Sequence, residues 1–198
     1  MKNSFSRFGI AGYTGSGKSL LTERIAQISN AVRIDVDSFA KTVMLSDRTV
    51  LQEIATHFGE DVVVSGINFA LLGERAFVSL ATLATLNTIV AKPIVTALKE
   101  KMDTVGNQPI VVDAALIPYW GIEGWFDRLL WVDAPRDLRV TRLRNRTPGL
   151  SVTSIAHRVK LQEQLFLPPT QQEKWLYLTN RSTEELFYAH YDLLEGSV

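Results

Sequence analysis

Short apolar runs separated by longer amphipathic stretches organise this chain. Residues 8–11 are apolar and stop at Gly12, after which Leu20, Leu21, Ile25 and Ile28 recur at helical spacing; this predicts a strand, a glycine loop and a helix. Residues 31–34 form a second short run that leads into Asp35 and Asp37, so a second strand is expected there, with both carboxylates on one face of its tip. From 39 to 102 the pattern is mostly helical, interrupted at 62–68 and carrying Pro93 inside its longest segment. Two further runs, 110–113 and 129–133, each end in aspartate, as expected of buried parallel strands whose C-terminal ends face a site. Residues 135–146 and 151–164 read as polar helices joined by Thr147, Pro148 and Gly149, 175–178 as a last strand, and 183–194 as a closing helix.

Strands alternating with helices imply an α/β fold in which a parallel sheet is covered on both faces and the ligand lies beyond the strand C-termini. No repeat or linker divides the 198 residues, so one domain is expected, and 46% hydrophobic residues are enough for one core. The 21 basic and 21 acidic residues cancel, so neither a nucleic-acid nor a membrane partner is expected, and any anionic ligand must be held by local chemistry. The chain has no cysteine, which excludes disulfides, thiolate metal sites and cysteine nucleophiles. Residues 1–7 are polar and no 18 consecutive residues are apolar, so a cytoplasmic protein is expected. His57, His157 and His190 lack ligand spacing, which gives a histidine metal site or a hydrolase triad little support.

The chemistry is concentrated between Gly12 and Ser19. Gly12-Tyr13-Thr14-Gly15-Ser16-Gly17-Lys18-Ser19 is a full G-x-x-x-x-G-K-S sequence between a predicted strand and a predicted helix. Glycines let successive backbone N–H groups converge on phosphate oxygens, and the helix start adds the positive end of its dipole. Lys18 is placed to reach the β- and γ-phosphates, and the Ser19 hydroxyl is a hard oxygen ligand for Mg²⁺. ATP with Mg²⁺ is therefore the expected ligand. Asp113 and Asp133 both end strands, and either could serve the metal or cap the turn that follows. Arg139, Arg142 and Arg146 form one basic stripe on a helix, either a lid that folds onto phosphates or a solvated face. Tyr119, Trp120, Trp125 and Phe126 could stack on an adenine, although core packing is the commoner use of such residues.

Further segments, in order, carry a resemblance. After the phosphate loop come Ile34-Asp35-Val36-Asp37, then Ala40-Lys41, His57-Phe58-Gly59, Gly66-Ile67-Asn68-Phe69 with Leu72-Gly73, and Lys92-Pro93. Val111-Val112-Asp113-Ala114-Ala115-Leu116-Ile117, Val132-Asp133-Ala134-Pro135, Arg142, Arg146, Arg158, Gln162 and Asn180 follow. This collinear set resembles the dephospho-coenzyme A kinase family over nearly the whole chain. The resemblance implies a P-loop three-layer α/β/α fold with a five-stranded parallel sheet, an acceptor-binding helical insertion near residues 60–105 and a lid near 138–164. It implies transfer of the ATP γ-phosphate to the ribose 3′-hydroxyl of dephospho-coenzyme A, giving coenzyme A and ADP. Lys18, Asp37 and Arg142 would be catalytic, with Asp37 orienting or deprotonating the attacking hydroxyl. Gly12, Thr14, Gly15, Ser16, Gly17, Lys18, Ser19, Leu20, Arg146 and Asn180 would bind ATP, Asp37, Lys41 and Lys92 the acceptor, and Ser19 and Asp113 the metal. Asp37 could instead be the N-cap of a helix starting at Ser38, with Asp35 structural. Lys41, Phe69, Lys92, Ala115 and Tyr119 stand where the family carries arginine, arginine, histidine, proline and glutamate. Two alternatives stay open on that account: a related kinase acting on a nucleoside or nucleoside monophosphate, and a nucleotide-binding module without turnover.

Overall fold

The apolar runs pair edge to edge. In the computed structural model, which describes residues 6–170 and 174–182, five strands form one fully parallel sheet: β1 (Arg7–Gly12), β2 (Val32–Asp35), β3 (Ile110–Asp113), β4 (Arg128–Asp133) and β5 (Trp175–Thr179). Their order is β2-β3-β1-β4-β5. Asp113 stands opposite both Ile10 and Asp35, so β2 and β3 end level while β1 runs on to Gly12. The chain lays β3 on one side of β1 and then crosses to lay β4 on the other, which makes the C-terminal end of β1 the switch point where such sheets bind ligands.

Helix α1 (Lys18–Ser29) covers one face of the sheet, burying Leu21 and Ile25 against Phe8, Ile10, Val111, Leu130 and Val132. The expected stripe is half right. Leu20 and Ile28 are 46% and 41% exposed, and their places against the sheet are taken by Thr22, Ala26 and Ser29. Both hydroxyls tolerate burial because each donates to the carbonyl four residues back, Thr22 to Lys18 and Ser29 to Ile25.

The other face is covered by α2 (Val36–Ser46), α3 (Arg48–Phe58), α4 (Phe69–Ala76), α5 (Leu80–Thr104) and the short α6 (Ile117–Trp120). Their apolar sides meet Ile34, Ile110, Val112 and Trp131 in the larger core. A break the hydrophobic pattern did not announce falls at Asp47, which ends α2 and caps α3 by accepting from the amides of Thr49 and Val50. Helix α5 opens on a Ser79–Thr82 capping box and runs through Pro93. Burial of Leu83, Val90, Ile94, Leu98 and Met102 offsets the backbone hydrogen bond that proline removes. By length and composition α5 could cross a membrane, yet here it packs on α2, α3, α4 and α8 (Val152–Leu165). Helix α7 (Arg136–Arg146) leaves the tip of β4 and turns through Pro148 and Gly149 into α8, so the pair stands over the ligand edge. The helix expected at 183–194 lies outside the described residues.

Candidate active site

The phosphate loop forms because β1 ends where no side chain fits. Gly12 has φ +143°, and a Cβ there would lie 2.0 Å from the Val132 carbonyl oxygen of the neighbouring strand. Gly17, in the left-handed region at φ +99°, is the N-cap of α1 and brings no side chain to its first turn. The leading amides of α1 are therefore left open to an anion, the arrangement a phosphate cradle requires. Lys18 is buried and its Nζ donates to the Tyr13 carbonyl at 3.2 Å. Burial pushes its pKa down, the carboxylates of Asp113 and Asp37 pull it back, and Arg146 and Arg139 push it down again.

Asp113 is 5% exposed and its Oδ2 has no hydrogen-bond partner. Burial raises its pKa, the Lys18 charge and a Ser19 hydrogen bond oppose that, and Asp37 and Asp35 add to it. A buried carboxylate oxygen without a hydrogen bond, beside the Ser19 hydroxyl, is the donor set a hard divalent cation would use together with phosphate oxygens and water. Among the described residues no three carboxylates or histidines gather into a metal cluster, so the protein alone would supply only part of a magnesium shell. Asp133 is differently placed: its Oδ1 accepts from the Ala134 amide and lies 3.9 Å from Arg139 Nε, so it shapes the exit of β4.

The two aspartates after β2 divide their roles, and both expectations for their geometry need correction. β2 ends at Asp35, so the carboxylates do not alternate along a strand. Asp35 is itself the N-cap of α2, accepting from the Ser38 amide and hydroxyl, so Asp37 is not the cap. Asp37 sits in the first turn of α2, exposed, with its field reaching both Lys18 and Asp113.

Arg142 donates Nη1 to the carbonyls of Gly15 and Ser16 at 3.2 and 3.4 Å, and Nη2 to Asn180 Oδ1 at 3.2 Å. Asn180 is buried, and its own amide group donates to the Ser16 carbonyl at 2.6 Å. Both residues therefore brace the back of the loop. Arg146, exposed, lines a cavity of 330 Å³ with Thr14, Phe77, Leu143, Arg158 and Gln162. Lys41 is exposed with its Nζ 5.6 Å from the centre of the Phe69 ring. Lys92 lines an open groove with Val43, Asp47, Pro93 and Glu100. Tyr119, Trp120, Trp125 and Phe126 belong to the α2–α5 side: Phe126 is buried there, Trp120 and Trp125 pack against it, and Tyr119 is 39% exposed. His57 and His157 make separate contacts to the Glu53 and Val78 carbonyls, and His190 lies outside the described residues.

Several residues at the site gave no sequence signal strong enough to select them. Arg33, two residues before Asp35 on the same face of β2, reaches within 3.6 Å of Asp35 and 3.9 Å of Asp113; the alternation of a strand could have paired 33 with 35. Arg139, 3% exposed, lies 4.8 Å over the Tyr13 ring and pairs with Glu163. Tyr13 itself meets Trp131 edge-on at 5.1 Å and donates its hydroxyl to the Phe166 carbonyl. Burial first, then Asp133 and Glu163, push its hydroxyl up to about 12 while Arg139 pulls it down.

The model of the dephospho-CoA kinase family matches residues 7–173. The chain belongs to the dephospho-CoA kinase family. It is 34% identical over 159 residues to the dephospho-CoA kinase of Corynebacterium diphtheriae, covering 78% of each chain. It is 31% identical over 160 residues to that of Thermobifida fusca, covering 79% of this chain and 78% of the relative. Among solved structures it is similar to TT1252 from Thermus thermophilus, with a TM-score of 0.69, 23% identity and 97% coverage of both chains. A dephospho-CoA kinase from Campylobacter jejuni gives a TM-score of 0.58 at 18% identity over 98% of this chain and 99% of that one. A shikimate kinase from Bacteroides thetaiotaomicron, at a TM-score of 0.61 and 14% identity over 98% and 99%, shares the fold alone. For this family member the parallel five-stranded sheet and flanking helices are the P-loop kinase architecture.

Proposed function

We propose that the protein transfers the γ-phosphate of ATP to the ribose 3′-hydroxyl of dephospho-coenzyme A, as a cytoplasmic enzyme of one domain. The observation that carries this reading is the freedom of Asp37. With Asp35 capping α2, Asp37 is left exposed in the first turn, its charge felt by the buried Lys18 and Asp113. A carboxylate so placed accepts a hydrogen bond from an acceptor hydroxyl and aims its oxygen at the phosphorus, which is the main demand of phosphoryl transfer.

The open amides of the loop and Lys18 hold the triphosphate, and Lys18 neutralises charge that develops on the transferred group. Ser19 and Asp113 would hold Mg²⁺, which when bound neutralises phosphate charge and fixes the phosphate oxygens. Arg142 and Asn180 keep the loop carbonyls turned outward so that the amides face the anion. Arg146, beside Thr14 in the cavity under α7 and α8, adds positive charge at the outer end of the loop. The α7–α8 pair acts as a lid that excludes water, and the α4–α5 region carries the acceptor side, with Lys41 set against Phe69 at the start of α4.

One observation favours a second acceptor. Lys41 and Phe69, two positions that depart from the family pattern, face each other as a cation over a ring. Paired replacement in contact is what a reshaped acceptor wall would look like, and a nucleoside or nucleoside monophosphate is then the substrate class to test. Purified protein with ATP and Mg²⁺ should release ADP and form coenzyme A from dephospho-coenzyme A, and Lys18→Ala should abolish both. ADP release with a nucleotide acceptor and none with dephospho-coenzyme A would transfer the assignment to the second reading. Tight ATP binding without ADP from any acceptor would make the protein a nucleotide-binding module.

A further inference from the structure

Thr14, at the outer end of the phosphate loop, is fastened to helix α8 from 148 residues away. Its backbone N–H donates to Gln162 Oε1 at 2.8 Å, and Gln162 Nε2 donates to Thr14 Oγ1 at 3.0 Å. The pair of contacts fixes the carboxamide, because an N–H can only donate and must therefore meet the oxygen. An amide of the anion-binding loop is thus occupied by a neutral carboxamide. The amides nearest α1 serve the inner phosphates, whereas Thr14 lies next to Tyr13, whose carbonyl holds the Lys18 ammonium, and opens onto the cavity lined by Arg146 and Arg158. Its N–H lies on the side of the loop away from the start of α1.

We propose that the Thr14 N–H serves the terminal phosphate and that Gln162 is a positioning residue that distinguishes nucleoside triphosphate from diphosphate: it holds the Thr14 amide until a terminal phosphate takes it, and the release of its carboxamide signals that phosphate to α8. This rests on the reading of the loop as a triphosphate site. A charged phosphate oxygen forms a stronger hydrogen bond with an N–H than a carboxamide oxygen does, so the exchange runs in that direction when the triphosphate enters. A diphosphate presents nothing at this amide and leaves Gln162 in place. The freed carboxamide lies beside Arg146 and Arg158 at the mouth of the same cavity, so the lid wall changes its polar lining only when a transferable phosphate is present.

The test is calorimetric titration of the full-length protein with ATP and with ADP, each with Mg²⁺ and without acceptor. In Gln162→Leu, which keeps a helix-forming residue of similar size, the competing acceptor is gone and ATP should bind about fivefold tighter while ADP is unchanged. In Gln162→Glu the competitor is stronger and charged, so ATP should bind at least about fivefold weaker relative to ADP. Opposite changes in the ATP-to-ADP affinity ratio support the proposal. A ratio that stays at the wild-type value, or falls in both variants, overturns it, since loss of helix docking alone would affect both nucleotides equally. Failure of the unaltered protein to bind either nucleotide would remove the triphosphate reading itself, an outcome distinct from an unchanged ratio.

Discussion

Arg139 and Glu163 form an ion pair inside the lid, joining the first turns of α7 to the last turn of α8. The pair is well supported: Arg139 Nε also donates to the Ala134 carbonyl at 3.0 Å, its guanidinium lies over Tyr13, and Arg136 reaches the second oxygen of Glu163. With Arg139 3% and Glu163 17% exposed, solvent screens the pair little, so losing one partner is costly. Glu163→Gln should destabilise the protein by about 3 kcal/mol at neutral pH, measured by denaturant unfolding.

The same pair predicts an acid-dependent loss of stability. Burial alone would raise the Glu163 pKa, but hydrogen bonds from Arg136 and Arg139 and their charges outweigh it and hold the carboxyl below its ordinary 4.5. A depressed folded pKa gives stability that is present above 4.5 and is lost as pH falls through the folded value. Unfolding free energy followed below pH 5 should therefore fall less steeply in Glu163→Gln than in the unaltered protein; parallel slopes would contradict the assignment.

At the alkaline end Tyr13 has the opposite sign. Its folded pKa of about 12 lies above the ordinary 10.0, so its contribution is present below pH 10.0 and is lost as pH rises toward 12. Tyr13→Phe should cost about 1 kcal/mol at neutral pH by removing the hydrogen bond to Phe166. It should also flatten the fall in stability between pH 10.0 and 12, a difference that thermal unfolding at matched pH would reveal.

Asp35 and Asp37 should separate cleanly. Asp35→Ala removes the N-cap of α2 and should lower stability by about 1 kcal/mol, with ATP binding retained. Asp37→Asn should leave stability and ATP affinity near wild type and reduce kcat by about 100-fold or more. Equal kcat in Asp37→Asn and the unaltered protein would remove Asp37 from the chemistry.

Asn180→Ala should act through the loop. Asn180 is 1% exposed, and its loss leaves the Ser16 carbonyl and the Arg142 guanidinium each short of a partner. A stability loss of about 2 kcal/mol is expected, with weaker binding of ATP and ADP alike by titration calorimetry.

The five strands, the glycine loop and the helix after it could be read from the chain, because a buried parallel strand must be a short apolar run and a phosphate cradle needs glycine at fixed spacing. The break at Asp47 was hidden because the apolar spacing passes through it, and only the capping hydrogen bonds mark it. Lys92 was grouped with Asp37 by order along a motif, which carries no information about distance between helices; in the structure Lys92 lines a groove with Val43, Asp47 and Glu100.

By itself the sequence determined the strand-loop-helix that cradles an anion and the aspartates that end β3 and β4, since local conformation and the apolar runs fix both. Tertiary structure alone decided that Asp35 caps so that Asp37 stays free, that Asp113 and not Asp133 adjoins Lys18, and that Gln162 fastens Thr14. Those outcomes depend on which distant side chains meet after the sheet closes, and hydrogen-bond partners 148 residues apart leave no periodic trace along the chain.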